Sequence, residues 1–147
     1  MLKDKQKKIY LIGALANHRI PRIAKEIRNL GFICFDNWWS AGPLADSYLK
    51  HYAKLKGLNY KETLQDAASQ NTFQFDKSNL DDSDISVLVM PAGKSGHLEL
   101  GYFIGRGKPG YILFEREPSR VDIMYQFATN IFFSKKELYK ELKENCR

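Results

Sequence analysis

Residues 81–114 read DDSDISVLVMPAGKSGHLELGYFIGRGKPGYILF, and this stretch decides the fold. Ile85–Met90 is an apolar, β-branched run with acidic residues before it and Pro91–Ala92–Gly93 after it. Such a run is expected of a strand buried on both faces of a parallel sheet. The loop Pro91–Gly96 follows, and from His97 to Gly105 the residues Leu98, Gly101, Tyr102 and Gly105 recur at helical spacing. Gly107 stops that helix, Lys108–Pro109 end the pattern, and Tyr111–Phe114 is the next apolar strand. The unit is strand, glycine-bearing loop, helix, strand. Glu99 falls in the first turn of the helix, just past the carboxyl end of a central strand, where open α/β sheets bind ligands.

The chain on either side repeats the alternation. Lys8–Gly13 (KIYLIG) reads as the first strand and Ala14–Ile20 as its loop. Pro21 suits the first position of a helix whose apolar face is Ile23, Ala24, Ile27 and Leu30, with Gly31 as its stop. Phe32–Phe35 is a second strand, ending at Asp36–Asn37–Trp38–Trp39–Ser40. Between Pro43 and Gln70 the spacing of Leu44, Tyr48, Leu49, Tyr52 and Leu55 predicts helix, interrupted at Gly57. Asn59, with Glu62 three residues on, predicts a capping box that opens a second helix running to about Ser69. Asn71–Phe75 reads equally as loop or helix end. After Phe114 come a polar loop (Glu115–Arg120), a short helix (Val121–Ala128), a short strand (Ile131–Phe133) and a closing helix capped by Ser134. The fold class expected is α/β: a doubly wound, mostly parallel five-stranded sheet of flavodoxin-like or Rossmann-like type. Residues 1–147 form one domain, with 1–7 as a flexible basic tail.

Composition narrows the function classes. At 147 residues, with 44% hydrophobic and 13% aromatic residues, the chain has mass for a real core. No window approaches a membrane span and MLKDKQKK lacks the apolar run of a signal peptide, so a soluble, cytoplasmic protein is expected. The net charge of +6 invites a nucleic-acid reading, but Lys3, Lys5, Lys7 and Lys8 less Asp4 supply half of it at the amino end. No basic stripe interleaved with aromatics follows, so nucleic acid is not an expected partner. Cys34 and Cys146 read as a buried thiol and a tail thiol rather than a disulfide. His18, His51 and His97 stand far apart, so no metal is expected, and neither P-loop nor GxGxxG is present to bind a cofactor.

Each site candidate has a plain structural reading beside the functional one. Glu99 near a helix start is also an acid well placed on a helix dipole. Asp76 reads also as a solvated turn residue, and Asp84 as a loop hydrogen-bonder. Tandem Trp38–Trp39 in a rim loop suit stacking of a planar base, or packing. Tyr10 in the first strand reaches the rim only if its side faces the crevice. His97 reads first as a helix-start residue. Gly93–Lys94–Ser95–Gly96 suits cradling an anion through backbone N–H groups.

Taken together, IYLIGAL (with Tyr10 and Gly13), Asp76 eight residues before Asp84, DISVLVM, HLELGYFIGRGKP and, weakly, YQFATN resemble the nucleoside 2-deoxyribosyltransferase superfamily, which includes nucleoside 5′-monophosphate N-glycosidases. The resemblance implies Glu99 as nucleophile, Asp76 and Tyr10 as its catalytic partners, and Asn130 as a residue donated across a subunit interface. Gly13, Trp38, Trp39, Gly93, Lys94, Ser95, Gly96 and His97 then fall to substrate binding. It also implies a homo-oligomer with shared sites, a small nucleoside or nucleotide substrate, and no cofactor. The position six residues before the glutamate, an aspartate in transferases and a serine in monophosphate hydrolases of that superfamily, is Gly93 here. That leaves base, sugar, phosphate and acceptor open. Two other readings share the crevice: a nucleotide sensor without turnover, and a glycohydrolase acting on a dinucleotide such as NAD.

Overall fold

The apolar run at the middle of the chain forms β3 (Ile85–Val89), all five of whose residues are buried. In the computed structural model, which describes residues 4–147, it lies at the centre of a five-stranded sheet. Its neighbours are β1 (Lys8–Ile12) and β4 (Gly110–Leu113); β2 (Ile33–Phe35) and β5 (Asn130–Phe132) are the edges. The order is β2-β1-β3-β4-β5 and every neighbouring pair is parallel. The expected doubly wound α/β class is therefore present, and the order is the flavodoxin-like one. From β1 the chain turns one way to β2, then crosses to β3 and continues outward. The switch point lies between the carboxyl ends of β1 and β3, where such sheets open a crevice.

Two apolar layers cover the sheet. On one face, Ile9, Leu11, Val87 and Val89 pack with Ile20, Ile23, Ala24 and Ile27 of α1 (Ile20–Asn29) and with Leu138 and Leu142 of α6 (Lys135–Asn145). On the other, Tyr10, Ile12, Leu88 and Ile112 meet Leu80 of α4 (Ala67–Asp82) and Leu100 and Phe103 of α5 (Lys94–Gly105). The period-two alternation along each strand sends neighbouring residues to opposite layers. Tyr10 therefore points to the α4–α5 side. Gly96 and Gly110 let these layers close. A Cβ on Gly110 would stand 2.8 Å from Ile104 and Leu100, and one on Gly96 3.0 Å from Leu88.

Several sequence expectations need correction. The helix after β3 begins at Lys94, not His97, so the loop is shorter and Lys94–Gly96 form the first turn of α5. The region after Gly57 holds two helices rather than one. α2 (Ala45–Lys56) ends at Gly57, and the predicted capping box at Asn59 starts α3 (Tyr60–Gln65). That helix stops at Asp66, whose side chain accepts from Ala68 N–H and caps α4. Asn71–Phe75 lies inside α4, as does Asp76. The helix expected over Val121–Ala128 is a single 3-10 turn, Ile123–Phe127. Phe132 of β5 is buried. Both thiols are free and buried. Of the expected tail, residues 1–3 lie outside the described residues; Gln6 donates to Gly31 O and Lys7 O accepts from Ile33 N–H. No helix among the described residues is long and apolar enough to cross a membrane.

Candidate active site

Three elements bring three proposed catalytic residues together. Tyr10 comes from β1, Asp76 from past the middle of α4, and Glu99 from the second turn of α5. Tyr10 is 1% exposed, so its ring belongs to the core and only its hydroxyl is available. Burial, then the charges of Glu99 and Asp76, hold its proton on. Burial pushes the Glu99 carboxyl from its ordinary 4.5 up to about 7. The charge of Asp76 adds to that rise, and the Tyr10 hydroxyl, facing the carboxylate, works against it. Burial also raises Asp76. Two partly dry carboxyls, both with raised proton affinity, thus stand beside a protonated phenol. That combination can offer both a nucleophilic carboxylate and a proton donor.

The glycine-bearing loop stands beside the trio. Gly93 caps α5 without a side-chain bond, and Lys94 and Ser95 are exposed in its first turn. The first N–H groups of a helix lack partners within it. Gly96 is buried against Leu88 and Ile12 and brings α5 close to the sheet. Across the switch point, the loop after β1 closes a cavity of about 480 Å³ lined by Ala14, Ala16–Arg19, Pro91–Gly93 and Glu115. Arg19 spans it, donating to Met90 O at 2.5 Å. Asn17 Oδ1 accepts from Arg19 N–H, while its buried Nδ2 has no partner. A second concavity of about 470 Å³ runs along α4 at Lys77, Asp81 and Asp82 and includes none of the trio. Its Asp81 is already paired with Lys77 and Arg106.

The remaining candidates divide. Gly13 follows β1, and a Cβ there would press on Ile20 at 2.8 Å and Trp38 at 3.5 Å, so the rim is tight at that point. Trp38 donates from Nε1 to Leu11 O at 2.7 Å and packs on both apolar layers. Trp39 donates to Asn17 O at 2.9 Å, holding the loop after β1. Both indoles are thus tied to backbone at the rim. His97 has both ring nitrogens occupied, by Gly93 O at 2.7 Å and by the Tyr125 hydroxyl at 2.9 Å. Asn130 opens the edge strand β5 opposite Tyr111, and its Oδ1 accepts from Ile131 N–H. Within one chain it does not join the trio. Sequence reasoning missed Asn17 and Tyr125; the Asn-His-Arg run after β1 was the available signal for the first.

No family model matches the chain, and no curated protein matches it by sequence. Solved structures do. A conserved protein from Enterococcus faecalis V583 aligns at TM-score 0.66 and 15% identity, over 95% of this chain and 98% of its own. A 2-deoxyribosyltransferase from Bacillus psychrosaccharolyticus aligns at 0.58 and 16%, over 93% and 90%. A CMP N-glycosidase from Clostridium botulinum aligns at 0.52 and 17%, over 92% and 98%. Nearly the whole chain therefore has the fold found in a 2-deoxyribosyltransferase and a CMP N-glycosidase.

Proposed function

We propose that the protein cleaves or transfers at the N-glycosidic bond of a (deoxy)nucleoside or nucleoside 5′-monophosphate. The observation that carries this reading is the convergence of Tyr10, Asp76 and Glu99, with Glu99 raised to about 7. The Glu99 carboxylate attacks the anomeric carbon as the bond to the base breaks, through an oxocarbenium-like transition state. The electron pair of that bond goes to the base nitrogen, which takes a proton from the Asp76 carboxyl. The result is a covalent glycosyl-enzyme. Water or a second base then attacks the same carbon, Glu99 leaves as carboxylate, and the nucleophile's proton returns to Asp76. Tyr10 holds the Glu99 carboxylate in line.

The cavity between Ala14–Arg19 and Pro91–Gly93 would take the part of the substrate beyond the sugar. The starts of α1 and α5, with Arg19 and Lys94, favour an anionic group such as a 5′-phosphate there. A second copy of the chain belongs to the proposal as well. Phe73 (57% exposed), Phe75 (54%) and Leu98 (75%) flank Asp76 and Glu99, an apolar surface that another subunit would cover. Light scattering on the purified protein tests that part.

The deciding experiment is chromatography of released base. The protein is incubated with nucleosides, deoxynucleosides, their monophosphates and NAD, with and without a second free base. Base release that Glu99→Gln abolishes is expected, and dependence on the added base separates transfer from hydrolysis. Undiminished release by Glu99→Gln removes the nucleophile assignment. Saturable binding of one panel member without release would replace catalysis by sensing.

A further inference from the structure

The helix that carries Glu99 is secured at its start by a side chain from another part of the chain. In the neutral imidazole of His97, Nδ1–H donates to Gly93 O at 2.7 Å, because a carbonyl can only accept. Nε2 is then left to accept from the Tyr125 hydroxyl at 2.9 Å, and the two rings stack with centroids 5.7 Å apart. Burial first, and the charge of Asp122 after it, keep the proton on that hydroxyl against the opposing charge of Arg120. The Tyr125 ring also meets Phe114, centroids 5.8 Å apart.

Gly93 and Glu115, the residue after Phe114, both line the cavity at the switch point. Tyr125 therefore touches both of these wall segments, one through His97 and the other through Phe114. It packs on the same apolar layer as Tyr10 and Leu100. Its own turn has little else to hold it: Ile123 is 69% exposed, Met124 59% and Phe127 67%.

We propose that Tyr125 is a positioning residue for ligand binding, acting through His97 to fix Gly93 and the first turn of α5 at the cavity wall. It touches neither Glu99 nor the bond that breaks, so its removal loosens binding and spares the chemical step. Only the kinetic part of this inference rests on the glycosyl reading.

Tyr125→Phe removes the hydroxyl and keeps the ring. With the panel of 2′-deoxynucleosides and nucleoside 5′-monophosphates as probes, KM is expected to rise about three- to ten-fold, the size of one hydrogen bond. The value of kcat stays within about two-fold. His97→Ala raises KM in the same direction, and the double variant is no worse than His97→Ala, because the two residues act as one contact. An unchanged KM in Tyr125→Phe, a loss confined to kcat, or effects that multiply in the double variant would each overturn the proposal. Amide exchange of residues 93–97 in the ligand-free protein provides a readout without substrate. Faster exchange in Tyr125→Phe is expected whether or not any base is released, and equal exchange overturns the strut. Faster exchange with no base release from wild type removes the glycosyl reading and leaves the strut in place.

Discussion

Asp76 and Glu99 sit on different helices, α4 and α5, yet the charge of Asp76 helps keep the proton on Glu99. Neither helix alone would make a site. α5 places Glu99 beside the sheet, α4 lays a second carboxyl against it, and the core strand β1 supplies the Tyr10 hydroxyl that opposes the shift. Burial and the Asp76 charge hold one proton on, the Tyr10 hydroxyl opposes them, and the last two can be removed separately.

Removing Tyr10's hydroxyl raises Glu99 further, since that hydroxyl favours the ionised carboxylate. The reacting form keeps one proton on the pair, held by Asp76 while Glu99 is ionised, so the rate falls as pH rises through about 7, where that proton is lost. In Tyr10→Phe the midpoint of this alkaline limb moves to higher pH. The pH dependence of kcat/KM for base release measures it, and a midpoint that stays put or moves down would refute the role given to Tyr10.

Asp76→Asn removes this alkaline limb, because no shared proton is left to lose. What remains is the ionisation of Glu99 alone, which without the neighbouring charge lies at lower pH, so the variant's rate drops only toward acid pH. The rate at the plateau falls by about 10²- to 10⁴-fold, as expected when a general acid is lost. Substrates whose base leaves readily without a proton should lose least. Equal losses across good and poor leaving bases would remove Asp76 from proton transfer.

Stability should record the cost of holding Glu99 where it is. Its folded-state pKa is raised from 4.5 to about 7, so its contribution is fully favourable below about 4.5 and is lost as pH rises through about 7. Glu99→Gln lacks this titration. It should be more stable than wild type at pH 8, by at most about 3 kcal/mol, and the difference should shrink toward pH 4. Urea midpoints at the two pH values test this. A gap that does not change with pH would mean that Glu99 is not titrating in this window.

Gly110→Ala probes the packing of α5 on the sheet. The added methyl would stand 2.8 Å from Ile104 and Leu100 and 3.0 Å from Ser86 Oγ, all in a closed layer. Overpacking of this kind costs about 1–3 kcal/mol. Thermal unfolding checks the loss, and an unchanged midpoint would show that α5 can shift without penalty.

Much of this architecture was legible because burial leaves a periodic mark. β3 is an unbroken apolar run, α1 shows its stripe, and Asn59–Glu62 announces α3 by its own chemistry. α4 was harder to read because only Leu80 is buried along its length. Phe73 and Phe75 alternate as in a strand, which concealed the helical period and left Asp76 looking like a loop residue. The early start of α5 was hidden by Gly96, chosen for close approach to Leu88 and Ile12 rather than for helix propensity. Strand order and the Tyr125–His97 contact are long-range pairings, and local periodicity carries no record of them.

Tyr10 is 1% exposed, in the middle of the sheet. The proposed catalytic centre is therefore anchored in the hydrophobic core, whereas the cavity rim is made of loops. Drift in the first is policed by stability itself, so the chemistry should persist through long divergence. The rim is under no such control. Substrate choice can be rewritten at Ala14–Arg19, Pro91–Gly93 and Glu115–Phe127 without solving the folding problem again, and diversified libraries belong there.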